Sequence, residues 1–392
     1  MSRYGRLDFA SYILAVAVEA LSVSGIAHGQ PDEVIQAVEK SWREREAKLV
    51  NVRMEWKKTI THYKGSRTDA LGFKTKSGEA FPPTDRVLSE SFVLLAKDRM
   101  IRFEHDGYIL DEKREDWGAR KTTAIYDGKE NLEYTDQPSG QFNVATHRTS
   151  GPPNELRRSD LFAVVQSIRP ASSEFAFVDL ARYHATGRSA KVNSRDCIEL
   201  ALTAKLGFGG SQLWVDPKRA YVIVRKQSQA PNKGAGMLTD QTDIEYREAA
   251  PGLWIASSWT TMTSGRTIPL RTKVTAIVKT IELPADVPKN QFSMTAPPKT
   301  LVHEVSPTGA EESVYIVKPD GSKADLNPRD RQRSYAEMMG TAASNQTWWS
   351  RNRLAVAIVG ASGLVLVLIS PRLRKAWLAR RRSKNSEGHM ES

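Results

Sequence analysis

The sequence has very little cysteine, and this scarcity limits its chemistry. Cys197 is the only cysteine among the 392 residues, so no internal disulfide can form. A zinc or iron–sulfur centre with several thiolate ligands is excluded for the same reason. A lone thiol in a strand is typical of a small core side chain. No cofactor is predicted.

The chain also lacks the motifs of common active sites. Its seven histidines form no HExxH or HxH arrangement, and no GxSxG, Walker or GxGxxG pattern occurs. His105, Asp106 and Asp127 could form an acid–base set, but they are expected at hairpin turns. We predict no catalytic residues, no metal site and no enzyme activity. An envelope hydrolase built from distant segments is the open alternative.

Positive charge is concentrated at one end of the chain. The formal net charge is +12, and residues 350–392 hold nine Lys/Arg against two Asp/Glu, or +7 of this total. The remainder does not require a nucleic-acid surface, and no phosphate loop or stacking platform is recognisable. Nucleic acid is therefore not expected as a partner.

Long apolar runs are scarce, with one clear exception near the C-terminal end. Residues 354–369 carry no charge and, with Trp348 and Trp349 before them, approach the ~20 residues that span a membrane. The basic cluster after them is typical of a cytoplasmic flank. We predict a transmembrane helix at 348–370 and a basic cytoplasmic tail at 371–392. A buried core helix is the alternative, and the tail could also bind anionic lipid or a partner.

The first residues indicate export. A weakly basic start precedes an apolar stretch, and small residues end it at Ala27-His28-Gly29. We predict a signal peptide at 1–29, with an uncleaved anchor or a mis-assigned start as alternatives. The bulk of the chain is then expected outside the cytoplasm, tethered to the bacterial cytoplasmic membrane by a single span.

Residues 30–305 have the pattern of one mainly β domain. Apolar positions recur at helical spacing over 31–50, and strand-like alternation begins at Val50. Lys97-Asp98 and Asp127-Gly128-Lys129 are typical of hairpin turns. We predict a curved antiparallel sheet with a few helices, one of them at about 160–168. A polar stalk is expected at 306–347, containing at most a small strand at Val314–Val317.

The order of several short motifs resembles a known family. Asp127-Gly128-Lys129 is followed by Tyr134, and later come Leu213-Trp214-Val215-Asp216-Pro217 and Phe292 through Pro297-Pro298. Together they are similar to the bacterial periplasmic lipoprotein carrier family, which includes LolA, LolB and the related sigma-regulatory protein RseB. The resemblance covers roughly residues 31–305.

The resemblance implies a fold and a ligand. The family fold is an antiparallel half-barrel with lid helices over an apolar face that holds acyl chains. By alternation and by resemblance, the candidate lining residues are Val52, Met54, Trp56, Phe92, Leu94 and Phe103, with ordinary core packing as the alternative for each. The expected partner is a lipid or an acylated lipoprotein.

This chain departs from the family pattern in two places. Lys97-Asp98 stands where the carriers have an Arg-Pro turn, whose arginine is tied to lid closure. The predicted membrane tether would prevent shuttling by diffusion. Two alternatives stay open: an envelope-stress sensor that binds a membrane-bound regulator, and a purely structural ectodomain. Trp214, Trp254 and Trp259 could line a pocket or pack in the core.

Overall fold

The structure is a computed structural model that describes residues 31–67, 78–111, 115–136, 143–158, 161–172, 174–175, 177–203, 210–232, 236–265, 270–293 and 295–326. These ranges contain the α-helices α1 (Pro31–Lys48) and α2 (Phe162–Ile168). The strands β1 to β16 are, in chain order, Asn51–His62, Arg86–Lys97, Met100–Asp111, Asp116–Tyr126, Asn131–Asp136, Asn143–Arg148, Tyr183–Val192, Arg195–Leu202, Ser211–Asp216, Val222–Asn232, Gly236–Ala250, Leu253–Gly265, Thr272–Glu282, Thr300–Val305, Glu311–Val317 and Lys323–Asp325.

The strands of the described ranges form a single curved sheet. Its order is β16-β15-β14-β6-β5-β4-β3-β2-β1-β13-β12-β11-β10-β9-β8-β7. The chain starts near the middle at β1 and moves outward through hairpins to β6. It then crosses to the far edge at β7 and returns strand by strand to β13, which pairs with β1. Neighbours are antiparallel except for the parallel pair of β6 and β14. The predicted mainly β fold with sequential antiparallel strands is confirmed.

Alternation along β1 gives the sheet two different faces. Val52, Met54 and Trp56 are buried, whereas Arg53 and Glu55 between them are partly exposed and form an ion pair of 2.6 Å. Successive side chains of a strand point to opposite faces, so this pattern places one face in the core. We call the face that carries Val52, Met54 and Trp56 the inner face.

The two helices cover the inner face. All seven residues of α2 are buried, and its five apolar residues belong to the same cluster as Val38 and Trp42 of α1 and the sheet side chains. Asp32 in the first turn of α1 and Lys48 in its last turn complement the helix dipole. The predicted helix over 31–50 is confirmed and ends at Lys48, and the second helix is confirmed at Phe162–Ile168.

The predicted turns lie where the sequence places them. Asp98, with a φ of +51°, and Arg99 connect β2 to β3. Between β4 and β5 the Asp127 carboxylate accepts hydrogen bonds of 2.8 Å from the backbone N–H groups of Lys129 and Glu130. Aspartate favours such turns because its side chain satisfies the backbone donors.

The structure differs from the sequence prediction after residue 305. The small strand predicted at 314–317 is confirmed as β15. It is not part of a stalk, however, because β15 and β16 extend the sheet, and Val314 and Ile316 pack against Leu301 of β14. The contact of these side chains with Leu301 depends on the pairing of β15 with β14, which the local sequence does not reveal. Residues 327–347 of the predicted stalk lie outside the described residues.

The predicted signal peptide (1–29), transmembrane helix (348–370) and basic tail (371–392) also lie outside the described residues. Within the described part of the chain, no helix has both the length and the apolar character needed to cross a membrane.

Candidate functional site

The pairing of β1 to β4 sorts the inner-face side chains into rows that cross the strands. The first row is Val52, Ala96, Ile101 and Tyr126. The second row is Met54, Leu94, Phe103 and Ala124. The third row is Trp56, Phe92, His105 and Thr122. The fourth row contains Lys58, Glu90 and Gly107. The inner face therefore changes from aliphatic through aromatic to charged along the strand direction.

Three rings of the third row form a stack. Trp56 lies parallel to Phe92, with ring centroids 5.0 Å apart and an interplanar angle of 4°. His105 lies parallel to Phe92 on its other side in the sheet, with centroids 4.4 Å apart and an angle of 3°. Stacked aromatic pairs add stability beyond the apolar area that they bury. The stack fixes the imidazole next to the charged row.

A buried ion pair forms the centre of the fourth row. Lys58 Nζ lies 2.7 Å from Glu90 Oε2, and both side chains are almost completely buried. His105 Nε2 lies 3.2 Å from the same oxygen, and the backbone N–H of Tyr108 donates a 3.2 Å hydrogen bond to Glu90 Oε1. A buried charge is stable only when it is paired. Each member of this cluster therefore depends on the others.

The cluster keeps Glu90 ionised. Burial alone raises the pKa of the Glu90 carboxyl, but the contact with His105 and the charge of Lys58 act in the opposite direction and prevail. The net effect is a pKa well below the ordinary value for a glutamate. Lys58 Nζ also lies 4.7 Å from the centroid of the Phe92 ring, a cation–π distance.

Gly107 is required by the close approach of this cluster. A Cβ atom at residue 107 would lie 2.1 Å from His105 Nε2 and 2.8 Å from the Glu90 carboxyl. Neither side chain can retreat, because His105 is stacked on Phe92 and Glu90 is held by Lys58. A glycine inside a strand often marks such a contact.

Beyond the fourth row, the end of β1 carries a second buried histidine. The His62 ring stacks on Trp117 at 5.2 Å, and Trp117 stacks on Phe81 at 5.0 Å. Burial, reinforced by the charge of Arg67, lowers the pKa of His62 to about 4. His62 is therefore neutral at physiological pH. We call the fourth row together with His62, Ser66 and Arg67 the polar end of the inner face.

Some buried donors on the inner face have no acceptor among the residues that the structure describes. The indole Nε1 atoms of Trp56 and Trp259 belong to this group. By contrast, Trp42 Nε1 on α1 donates a 2.8 Å hydrogen bond to the Tyr221 carbonyl. Trp259 is opposite Ala276, which is opposite Lys58, so Trp259 continues the fourth row across the sheet. Unpaired buried donors are rare in proteins and require an explanation.

Arg169 fastens the helices to the sheet. Its guanidinium donates hydrogen bonds to the carbonyls of Leu49 at 2.8 Å, Ile168 at 3.1 Å and Asp98 at 2.7 Å. These carbonyls belong to the segment after α1, the end of α2 and the turn between β2 and β3. One buried arginine thus joins both covering helices to the β2–β3 hairpin, which carries Phe92, Glu90 and His105.

A separate cleft of about 500 Å³ lies on another part of the sheet. Its lining includes Ile125, Leu132, Phe292, His147, Glu304 and Lys323. His147 Nε2 lies 3.3 Å from Glu130 Oε2, and Lys323 Nζ lies 3.2 Å from Glu304 Oε1, so charges of both signs are already paired at its rim. This cleft is mixed in character and shares no residue with the inner-face rows.

Comparisons with known proteins identify neither a family nor a function for this chain. No protein-family model matches the chain, and no curated protein matches it significantly. Among solved structures, a DUF1329 family protein from Desulfovibrio piger is similar at 10% identity and a TM-score of 0.33, over 66% of this chain and 97% of that one. The enduracididine biosynthesis enzyme MppR is similar at 10% identity and a TM-score of 0.11, over 59% and 87% of the two chains. Superpositions this loose assign no function.

All six sequence-predicted lining residues lie together on the inner face. Each is at most 2% exposed, and all belong to one core cluster. The set comprises Val52, Met54, Trp56, Phe92, Leu94 and Phe103. Their placement agrees with the alternation, and their binding of a ligand stays a prediction. Trp259 is likewise buried in this core, while Trp214 and Trp254 pack at its margin.

The charged row was not predicted from the sequence. His105 and Asp106 were expected at a hairpin turn, but they lie in the middle of β3, and His105 is 4% exposed. Lys58 and Glu90 drew no attention because charged residues in strands usually face water. Their spacing from Trp56 and Phe92 by two residues was the available indication, since it places them on the same face.

Proposed function

We propose that the chain is a non-catalytic binding protein that holds the acyl chain of a lipid or lipoprotein between the inner face and its covering helices, in the manner of a half-barrel. The observation that supports the proposal best is the gradation of the inner face. Its rows change from aliphatic through aromatic to charged within four strand positions, which matches the length and polarity of an amphiphile.

The energetics are adequate for such a ligand. Burial contributes about 0.8 kcal/mol per CH₂ group, so a chain of about twelve carbons gains on the order of 8–10 kcal/mol before the cost of association. The ligand must displace side chains of α1 or α2, which fill this space in the closed form. That loss reduces the net affinity.

The helix α2 is the element that we expect to move when the site opens. It has seven residues, and a helix of this length is not stable in isolation. Its position depends on packing and on the hydrogen bonds of Arg169. Breaking these interactions would free α2 without disturbing the pairing of the sheet. We therefore place the opening of the site at α2.

The cellular setting belongs to the same proposal. The apolar run at 354–369 and the basic residues after it support a tether in the bacterial cytoplasmic membrane, with the sheet on the extracytoplasmic side. A tethered binding domain would receive or present its ligand near the membrane surface. A membrane-bound protein partner fits this arrangement as well.

The test is native mass spectrometry on the full chain, combined with organic extraction of copurified lipid. A stoichiometric lipid that reappears after delipidation and reloading would support the proposal. Chains with brominated acyl groups then locate the ligand, because bromine quenches tryptophan emission at short range. Quenching should fall in Trp56→Phe and persist in the matched control Trp254→Phe, whose indole lies under Arg219 at 4.6 Å. A chain that takes up no lipid, or equal quenching in both variants, would refute the proposed site.

A further inference from the structure

The cleft of about 500 Å³ lies on the face of the sheet opposite the inner face. Arg53 of β1 points away from the inner face, and directly paired residues of a sheet share a face. Pairing from Arg53 onward gives the row Leu95, Arg102, Ile125, Leu132, His147 and Glu304. The last four of these line the cleft. The sheet therefore separates the cleft from the proposed acyl site, and a ligand bound there is independent of the proposed function.

One wall of the cleft is residues 285–293, a segment after β13 that we call the strap. Arg102 Nη1 donates a 3.0 Å hydrogen bond to the Gln291 carbonyl of the strap. The Phe292 side chain is 3% exposed and packs in one apolar cluster with Ile125 of the sheet. A polar contact and an apolar contact thus fix the strap on the sheet, so the wall is already formed without a ligand.

The cleft has an apolar floor and a charged rim. Ile125 and Phe292 are buried, whereas Asp127 in the turn between β4 and β5 and Lys289 on the strap are exposed, and all four line the cleft. Small-molecule sites typically measure about 300–1,000 Å³ and combine apolar walls with a few placed polar groups. The cleft meets both conditions.

Two charged groups of the rim are available to a ligand. Glu130 and Glu304 are already paired with cationic or histidine side chains of the cleft. Among the residues that the structure describes, neither Asp127 nor Lys289 forms an ion pair. Asp127 Oδ1 accepts hydrogen bonds only from the backbone N–H groups of its own turn. The cleft therefore presents one carboxylate and one ammonium group, of opposite charge, beside an apolar floor.

We propose that this cleft binds a small zwitterion with an apolar side chain, an amino acid or a short peptide. Lys289 pairs with the carboxylate of the ligand, and Asp127 pairs with its ammonium group. The apolar side chain is buried against Ile125 and Phe292. A ligand with only one charge would leave one of the two rim groups without a counter-ion, so both charges of the ligand contribute to affinity.

The experiment is equilibrium dialysis of the full chain against four probes up to millimolar concentration, with the bound probe quantified by mass spectrometry. Phenylalanine, 3-phenylpropanoate and phenethylamine share one apolar body and carry both charges, the negative charge alone and the positive charge alone. Phenylalanylglycine carries both charges farther apart. We expect one of the two zwitterions to bind at least about fivefold more tightly than either singly charged probe. The tighter zwitterion identifies whether a free amino acid or a peptide is preferred.

Two variants assign each charge to a residue. Asp127→Asn keeps the side-chain oxygen that accepts the hydrogen bonds of the turn and removes only the charge. It should weaken binding of the zwitterion and of phenethylamine about three- to tenfold and leave 3-phenylpropanoate unchanged. Lys289→Met should weaken binding of the zwitterion and of 3-phenylpropanoate to a similar extent and leave phenethylamine unchanged. The matched controls Asp286→Asn and Lys279→Met, which are exposed and do not line the cleft, should bind all probes as the wild type does.

Three results would overturn the inference. No binding of any probe to a chain with the circular dichroism of a folded β protein would exclude the cleft as a site for this class of ligand. Equal affinity for the zwitterions and for a singly charged probe would show that the two rim charges do not act together. Weakening of the same probes by Asp127→Asn and by Lys289→Met, or by the control variants, would overturn the assignment of the charges to these residues.

Discussion

Removing the carboxylate of Glu90 should destabilise the fold far more than removing an exposed one. Glu90→Leu would remove the carboxylate that lies 2.7 Å from Lys58 Nζ, at a site where the Lys58 side chain is only 1% exposed and that of Glu90 only 3%. The buried ammonium would keep its desolvation penalty and lose the attraction of that carboxylate. The variant is therefore less stable than the wild type.

The magnitude follows from the geometry. At 2.7 Å and an effective dielectric constant of about 20, the Coulomb attraction between Lys58 and Glu90 is about 6 kcal/mol. Desolvation offsets much of it in the wild type, but the single variant keeps the penalty and loses the attraction. We expect Glu90→Leu to lower the free energy of unfolding by about 3–5 kcal/mol. The double variant Lys58→Met, Glu90→Leu should recover to within about 1–2 kcal/mol of the wild type, since buried pairs replaced by apolar residues are often tolerated.

Urea denaturation of the full chain at pH 7, followed by circular dichroism, measures these differences. The matched control is Glu39→Leu, which removes an exposed ion pair with Arg43 on α1 and should change stability by about 0.5 kcal/mol or less. A loss below about 1 kcal/mol for Glu90→Leu, or a double variant as unstable as the single one, would show that the Lys58–Glu90 pair is not a dry internal contact.

Two other predictions concern the same region. His62 has a pKa of about 4 in the folded chain and an ordinary value near 6.5 when unfolded, so the unfolded state binds more protons between these values and stability falls as the pH drops through this window. The difference in unfolding free energy between wild type and His62→Phe should change by up to about 3 kcal/mol between pH 7 and pH 4, in urea titrations at each pH; a constant difference would contradict the buried, neutral histidine. Gly107→Ala should lower the melting temperature, with a loss of about 1–3 kcal/mol, because its Cβ would collide with His105 and Glu90. Gly118→Ala in the adjacent strand, where a Cβ meets nothing within 4 Å, is the control, and equal losses in the two variants would contradict the collision.

Local patterns predicted the elements well. The alternation from Val50 onward, the helix over 31–50 and the turns at Lys97-Asp98 and Asp127-Gly128-Lys129 all have counterparts in the structure. These features depend on residues close together in the chain, and the physical chemistry of a strand or a turn is local. The six predicted lining residues came from the same alternation.

The pairing between distant segments of the chain was not predicted from the sequence. His105 was assigned to a turn because Asp106-Gly107 follows it, yet β3 continues to Asp111. Gly107 has a different role there, since it gives room to His105 and Glu90. The parallel pairing of β14 with β6 was equally inaccessible from the sequence, because two chain segments more than 150 residues apart supply the partners.

The sequence by itself determined that this is a mainly β chain with one buried face, since the two-residue period of hydrophobicity needs no knowledge of partners. It also determined which side chains of β1 share that face. Only the tertiary structure decided that Lys58, Glu90 and His105 meet there, because their contacts depend on the register between three strands. A shift of one residue in either pairing would turn one member to the opposite face and would break its contact with the others.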